Sequence, residues 1–527
     1  MKNRTRANRR YTICHSLLKL SVVSLFVLLG IMAIAASGQE QKAGYNAPFT
    51  VPKTWDDEAI TSIELPLPQA RISPVHVSSE FYYKIPVRPI YKTYAVYHPG
   101  KEPAGYMESL KQQEPVQIHL DFSKFKTEDE WIKAGELIFD APIDYLTIED
   151  SHIRELALFE KAGIPITKDG IFPFARYVVR EKGKVELGIA ACSNCHTRVM
   201  PDGSTILGAQ GNFPLDRLIA YTFRAEAAKA PDAKTFLQEI RNVERAGFAT
   251  PHLPADAYSR FEQMSLEEIA TAHEAIPGGV FARQRASVFY PPHVPDLIGI
   301  KDRRYLDASG LVRHRNIGDL MRYAALNQGG DDLSRYGDLR PIEILRGKMP
   351  EPAGLGRYSD EQLYALALYI YSLKPPPNPN KFDALAARGQ KIFNSEGCAV
   401  CHTPPLYTNN KLVPADGFKV PEEHKKLYDI LPLSVGTDAN LTMRTRRGTG
   451  YYKVPSLKGV WYRSMFEHSG SVATLEDWFD SRRLRDDYVP TGFRGAGVKP
   501  RAVKGHEFGL DLSAADRKAL IAFLKTL

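Results

Sequence analysis

The cysteines constrain this chain more than any other residue. Of the five in its 527 residues, four fall in two copies of one pentapeptide, Cys192-Ser193-Asn194-Cys195-His196 and Cys398-Ala399-Val400-Cys401-His402. Two thiols three positions apart, with an imidazole next, can form two thioethers to one macrocycle and give its iron a ligand from the same turn. Each copy therefore reads as a c-type haem attachment site. A four-cysteine zinc site would not require histidine directly after the second cysteine of both pairs. A thioredoxin-like dithiol needs a βαβ context that neither pair shows. Two covalently attached haem c groups are expected, with His196 and His402 as iron ligands.

The fifth cysteine, Cys14, lies in residues 1–38, where six basic side chains precede the apolar run 21–36 and small residues close it. That order predicts a secretory signal peptide. The 16-residue run is short for a bilayer span, though an N-terminal anchor in the inner membrane stays open. Export places the expected protein in the periplasm. The net charge of +8 also belongs to this segment: it holds six of the 69 Lys and Arg and no acid, leaving 63 basic against 61 acidic side chains. Basicity therefore gives no reason to expect a nucleic-acid partner.

Residues 39–125 are rich in Pro and Tyr. Their β-leaning stretch 81–97 is broken by Pro86 and Pro89, which predicts edge strands or an extended arm packed over a haem domain. From residue 127 the chain repeats itself. Ala134-Gly135-Glu136-Leu137-Ile138-Phe139-Asp140 echoes Arg388-Gly389-Gln390-Lys391-Ile392-Phe393-Asn394, ahead of each haem motif. The second motif follows its helix within five residues, whereas about 50 more intervene in the first copy. Val294-Pro295-Asp296-Leu297 and Val454-Pro455-Ser456-Leu457 begin a second echo at a constant offset of 160, which ends in Ser309-Gly310 and Ser469-Gly470. Ser359 and Ser513 each open a closing helix, Ser359 with capping-box spacing to Gln362. Between the copies, Lys374-Pro375-Pro376-Pro377-Asn378-Pro379 cannot continue a helix and makes a stiff linker.

The expected fold is mainly α, two tandem cytochrome c-like haem domains after an irregular Pro/Tyr-rich extension. The expected boundaries are a signal or anchor over 1–38, the extension over 39–125, the first haem domain over 126–374, a linker over 375–382 and the second haem domain over 383–527.

The stretches RGQKIF, CAVCH and PPLYTNN within residues 388–410, and VPSLKGVWYRSMFEHSGSVATLED over 454–477, resemble the bacterial di-haem cytochrome c peroxidase superfamily, which includes MauG-type enzymes and di-haem rubber oxygenases. The match is good over 383–527, thinner over 127–374 and absent over 39–125. It implies that the first haem meets peroxide or oxygen while the second handles electrons.

In that family a Met or Tyr iron ligand commonly stands fourteen residues beyond the position of His468. Here Arg482 stands there and is no ligand. His506 is the candidate sixth ligand of the second haem, as in the bis-histidine rubber oxygenases, with Met443 as an alternative. For the first haem, the next histidine after His196 is His252, which favours an open iron; Met349-Pro350 is placed like the methionine ligand of class I cytochromes. His293 is a candidate distal acid-base group or a packed loop histidine. Arg303 and Arg463 are candidates for haem propionates or ordinary charges. Trp461 and Trp478 do not match the family's inter-haem tryptophan. The resemblance also implies a calcium ion held by carbonyls near Val454-Pro455, although no acidic calcium loop is present.

The leading expectation is thus a peroxidase-like di-haem oxidoreductase acting on hydrogen peroxide or oxygen. Its electrons would come from a small cytochrome, a cupredoxin or a quinol-linked chain. A non-catalytic electron carrier and a dioxygenase of an apolar substrate are the alternatives.

Overall fold

Serine at position 78 ends the first β-leaning stretch before it begins. In the computed structural model, which describes residues 50–253, 256–346 and 355–527, its side chain accepts the Phe81 amide and caps α1 (Ser79–Lys84). The Phe81 end of the run expected as strand is therefore helical, because a capped turn outweighs aromatic β propensity. Beyond Pro86 and Pro89 the chain does extend, as β1 (Thr93–Tyr97). Residues 1–38 and Met349 lie outside the described residues.

β1 is an edge strand, as Pro86 and Pro89 ahead of it predict. It joins β2 (Asp144–Thr147), β3 (Ile171–Glu181) and β4 (Lys184–Ile189) in an antiparallel sheet of order β1-β3-β4-β2. Three strands of this sheet, β2, β3 and β4, lie among the additional residues ahead of the first haem motif, so this part of the chain carries a sheet beside the mainly α frame expected for it. β3 is apolar on both faces, and Phe172, Phe174 and Tyr177 pack with Leu158 and Phe159 in one core. Described residues ahead of α1 are bonded to the body: the Leu65 amide donates to Leu311 and the Val77 amide to Leu333.

The remaining frame is more helix than strand. Its helices are α2 (Glu128–Phe139), α3 (Cys192–Cys195), α4 (Leu215–Lys229), α5 (Ala233–Phe248) and α6 (Leu266–Glu274). The chain continues through α7 (Ile317–Gln328), α8 (Asp360–Ser372), α9 (Ala384–Ser395), α10 (Cys398–Cys401) and α11 (Ala514–Lys525). Both closing helices start where their serines predict. Ser359 and Gln362 form a full capping box, and Ser513 accepts the Asp516 amide.

The echo at Gly135 and Gly389 has a packing reason. α2 crosses α8 with Gly135 against the Ala365 carbonyl, and α9 crosses α11 with Gly389 against the Ala519 carbonyl. A Cβ would meet those oxygens at 2.0 and 1.9 Å. Only glycine lets the backbones approach so closely.

Between the first haem motif and the echo that begins at Val294, α4, α5 and α6 are tied by one imidazole. His273 of α6 contacts Asp216 of α4 at 2.8 Å and Glu244 of α5 at 3.1 Å, all three buried. Burial pushes the His273 pKa down, but the two carboxylates outweigh it and raise it to about 10, so the ring is an imidazolium.

The two copies also exchange hydrogen bonds. The His293 amide donates to the His468 carbonyl at 2.9 Å, and the Lys453 amide donates to the Ala308 carbonyl at 3.1 Å. Both donor and acceptor shift by 160 between the two bonds, so the relation is a local two-fold. Residues 51–527 form a single compact unit.

Candidate haem-binding sites

The second motif is positioned by a glycine turn. Gly397, at φ 74°, ends α9 and opens α10, so that Cys398 and Cys401 sit on one helical turn and His402 follows it. The His402 Nδ1–H donates toward the carbonyls of Pro455 at 3.1 Å and Tyr407 at 3.2 Å. Those acceptors fix the tautomer and leave Nε2 as a free donor of electrons to a metal. Burial lowers the His402 pKa, which favours the neutral ring that ligation needs.

His506 stands across from it. The two ring centroids are 6.2 Å apart. Metal–imidazole bonds of about 2 Å, with each ring centroid about 1 Å behind its nitrogen, put two imidazoles that share one metal about 6 Å apart. The pair therefore fits one iron between two histidines. The His506 ring is kept neutral by burial, with the nearby Arg483 guanidinium acting in the same direction, and its pKa falls to about 3. Its buried Nδ1 has no hydrogen-bond partner.

Arg483, which no motif or spacing marks in the sequence, holds this loop. It is fully buried, and its guanidinium donates to the carbonyls of Trp478 at 2.9 Å, Val503 at 2.6 Å, Gly505 at 3.0 Å and His506 at 2.9 Å. One planar fork thus fixes the backbone that leads up to His506 and the His506 carbonyl itself. Its neighbour Arg482 is exposed and pairs with Asp480. Trp478 lies 5.2 Å from the His506 ring, a placement its sequence position did not indicate. Met443 packs instead among Ala286, Leu441 and Tyr452, and Trp461 against a separate cluster with Tyr462.

At the first motif, α3 carries Cys192 and Cys195, and the Gly208 amide closes on the His196 carbonyl at 2.7 Å. The Pro295 carbonyl, counterpart of Pro455, faces the His196 ring, although Nδ1 makes no full hydrogen bond to it. Burial lowers the His196 pKa to about 4, and the Arg283 guanidinium adds to the effect. Arg283 also acts on both cysteines, and Gln328 bonds Cys192. No described imidazole faces His196 as His506 faces His402.

The groups beside this motif are polar and charged. Arg283 donates to Asn327 and lies 3.8 Å from Asp307. Asp307 also takes the Tyr323 hydroxyl at 3.0 Å and a close guanidinium contact from buried Arg447. Burial pushes the Asp307 carboxyl up, but Arg447 and Arg283 outweigh it and hold it well below the carboxylate range.

His293 behaves as the packed loop histidine. Its Nδ1–H donates to the Glu467 carbonyl at 2.8 Å. Arg303 and Arg463 play matched structural parts: Arg303 donates to the carbonyls of Asp296 and Ile298, and Arg463 to those of Ser456 and Lys458. Among the described residues no three His, Cys, Asp or Glu side chains are grouped to hold a metal ion, so the cysteine pairs do not form one zinc site. The pocket beside Val454-Pro455 offers neutral oxygens from Gln210, Thr408, Asn410 and Ser456 but only one carboxylate, Asp296, against Arg303, Lys453 and Arg463, and that excess of positive charge opposes a calcium ion.

No family model and no curated protein matches the chain. Among solved structures it is similar to one of Kuenenia stuttgartiensis hydrazine synthase, with 14% identity, a TM-score of 0.29, and coverage of 55% of this chain and 87% of that one. A second similarity is to a MauG-like protein associated with microbial copper homeostasis, with 18% identity, a TM-score of 0.26, and coverage of 45% and 73%. Superpositions this loose identify neither a family nor an activity.

Proposed function

We propose that the chain is an exported di-haem c-type oxidoreductase, built as two tandem cytochrome c-like domains, in which the first haem meets hydrogen peroxide or oxygen and the second passes electrons. The observation that carries this reading is the asymmetry between the two motifs. His402 has a second imidazole at the separation one iron requires, and a haem held by two histidines would suit electron transfer. His196 instead has a cluster of polar side chains nearby.

When bound, the haems supply the one-electron chemistry, and the protein supplies orientation and charge. Arg283 gives a fixed positive charge and N–H donors beside the first motif, where an oxygen substrate would gain negative charge. Asp307 stays ionised and, with Asn327, holds that guanidinium in place. Arg447 prevents Asp307 from cancelling the charge of Arg283 alone. His402 and His506, both neutral, would hold the second iron between them and so leave substrate no place on it.

The purified exported protein should contain two haems that survive denaturation. Its ferric spectrum should show one low-spin haem and one that changes when peroxide is added. A denatured chain without haem would overturn the reading. Two low-spin haems indifferent to peroxide and other ligands would leave an electron carrier. Oxygen uptake that requires an apolar substrate would redirect the activity toward a dioxygenase.

A further inference from the structure

The pocket on the local two-fold is a concentration of positive charge with too few acids to balance it. Arg303 and Arg463 enter it from matching positions of the two copies, and Lys453 enters from the strand edge that donates to Ala308. Arg198 lies close enough to feel the same carboxylate. Asp296 already accepts the Tyr462 hydroxyl at 2.9 Å and the Arg463 Nε at 2.9 Å. Both guanidiniums also commit their terminal nitrogens to loop carbonyls. Lys453 sits in the middle: burial, together with Arg303 and Arg463, pushes its pKa down to about 7, against the weaker pull of Asp307 and Asp296. A desolvated group of cations in such excess calls for an anion.

The pocket's walls say where that anion can come from. Pro295 and Pro455, whose carbonyls face His196 and His402 respectively, both line it. The pocket thus borders both motifs through equivalent residues.

We infer that this pocket is a carboxylate site, in which Lys453, flanked by Arg303 and Arg463, serves as a protein-built cation between the two motifs where the family resemblance implies calcium. The carboxylates are haem propionates, if the proposed function holds, or a free small carboxylate; the chemistry recognised is the same. An ammonium on a flexible stem supplies a point charge with three donors. Unlike a divalent ion, it cannot be lost to a chelator.

The test compares wild type with Lys453→Met and Lys453→Gln, each checked for two haems per chain and an unchanged low-spin spectrum. For propionates, the midpoint potentials of both haems fall in both variants and the propionate bending bands in resonance Raman shift, while added acetate leaves wild-type melting unchanged. For a free carboxylate, acetate raises the wild-type melting temperature saturably and the variants lose that response, a result readable even if the chain bears no haem. Absence of both responses overturns the inference. So does wild-type protein that is stabilised by millimolar calcium and destabilised by a calcium chelator, a result that needs no variant to fold. A haem-free chain sinks the proposed function alone, and the acetate arm then decides this inference.

Discussion

His402 and His506, 104 positions apart in the chain, face each other with ring centroids 6.2 Å apart. Neither ring is held there by the other, since each is positioned by backbone. Carbonyls of Pro455 and Tyr407 orient His402, and the Arg483 fork orients the His506 loop.

If the proposed function holds, replacing His506 with Ala should remove one iron ligand and little else. The expected result is conversion of the low-spin second haem to a high-spin or water-bound form with the haem count unchanged. An unaltered low-spin spectrum would assign the sixth ligand elsewhere.

Arg483→Leu should act on the same haem from a distance. It leaves four carbonyls without their donor, at a cost of about 3 kcal/mol or more in denaturant unfolding. A partial high-spin signal, restored toward low-spin by added imidazole, would distinguish lost positioning from general unfolding.

Arg283→Leu should leave haem content and the second haem's spectrum intact while lowering peroxide turnover on the order of 10²-fold, the scale for removing one preorganised charge donor. Stopped-flow mixing of the ferric protein with peroxide measures it. Turnover equal to wild type would remove Arg283 from the reaction.

Gly135→Ala and Gly389→Ala should each destabilise by about 3 kcal/mol or more, because the new Cβ lands about 2 Å from a carbonyl oxygen of the partner helix. Chemical denaturation and haem yield report both. A cost below that of an exposed glycine-to-alanine change would mean that the helices part easily.

The imidazolium at His273 sets a direction with pH. Its folded pKa, about 10, exceeds the ordinary value of 6.5, so its stabilisation is complete below about pH 6.5 and is lost as pH rises through about 10. Unfolding free energy should decline over that range in wild type and decline less in His273→Leu. That variant also loses about 3 kcal/mol near neutrality by leaving Asp216 and Glu244 unpaired. Parallel pH profiles would show that His273 does not titrate between the two states.

What could be read from the residues was local or repeated. The serine caps at 359 and 513, the edge strand after Pro89 and the cysteine-histidine turns all depend on neighbours within four positions. The glycines at 135 and 389 showed only as an echo, since their purpose lies in helices far along the chain. The sheet is hard to read because its longest strand is apolar on both faces and lacks alternation, while the Asp144–Thr147 strand is short and largely exposed. Arg483 and Asp307 were invisible for a similar reason: their partners are carbonyls and guanidiniums gathered from distant segments, and no spacing encodes such a meeting.

The paired amide bonds of His293 and Lys453 have a further consequence. Each copy of the duplicated segment finishes the backbone of the other, so a gene cut at the proline-rich connector would yield two products with a bare donor and a bare acceptor at their mutual seam. The two copies can differ in every residue that ligates or reacts, as they do here, while this shared seam holds them together.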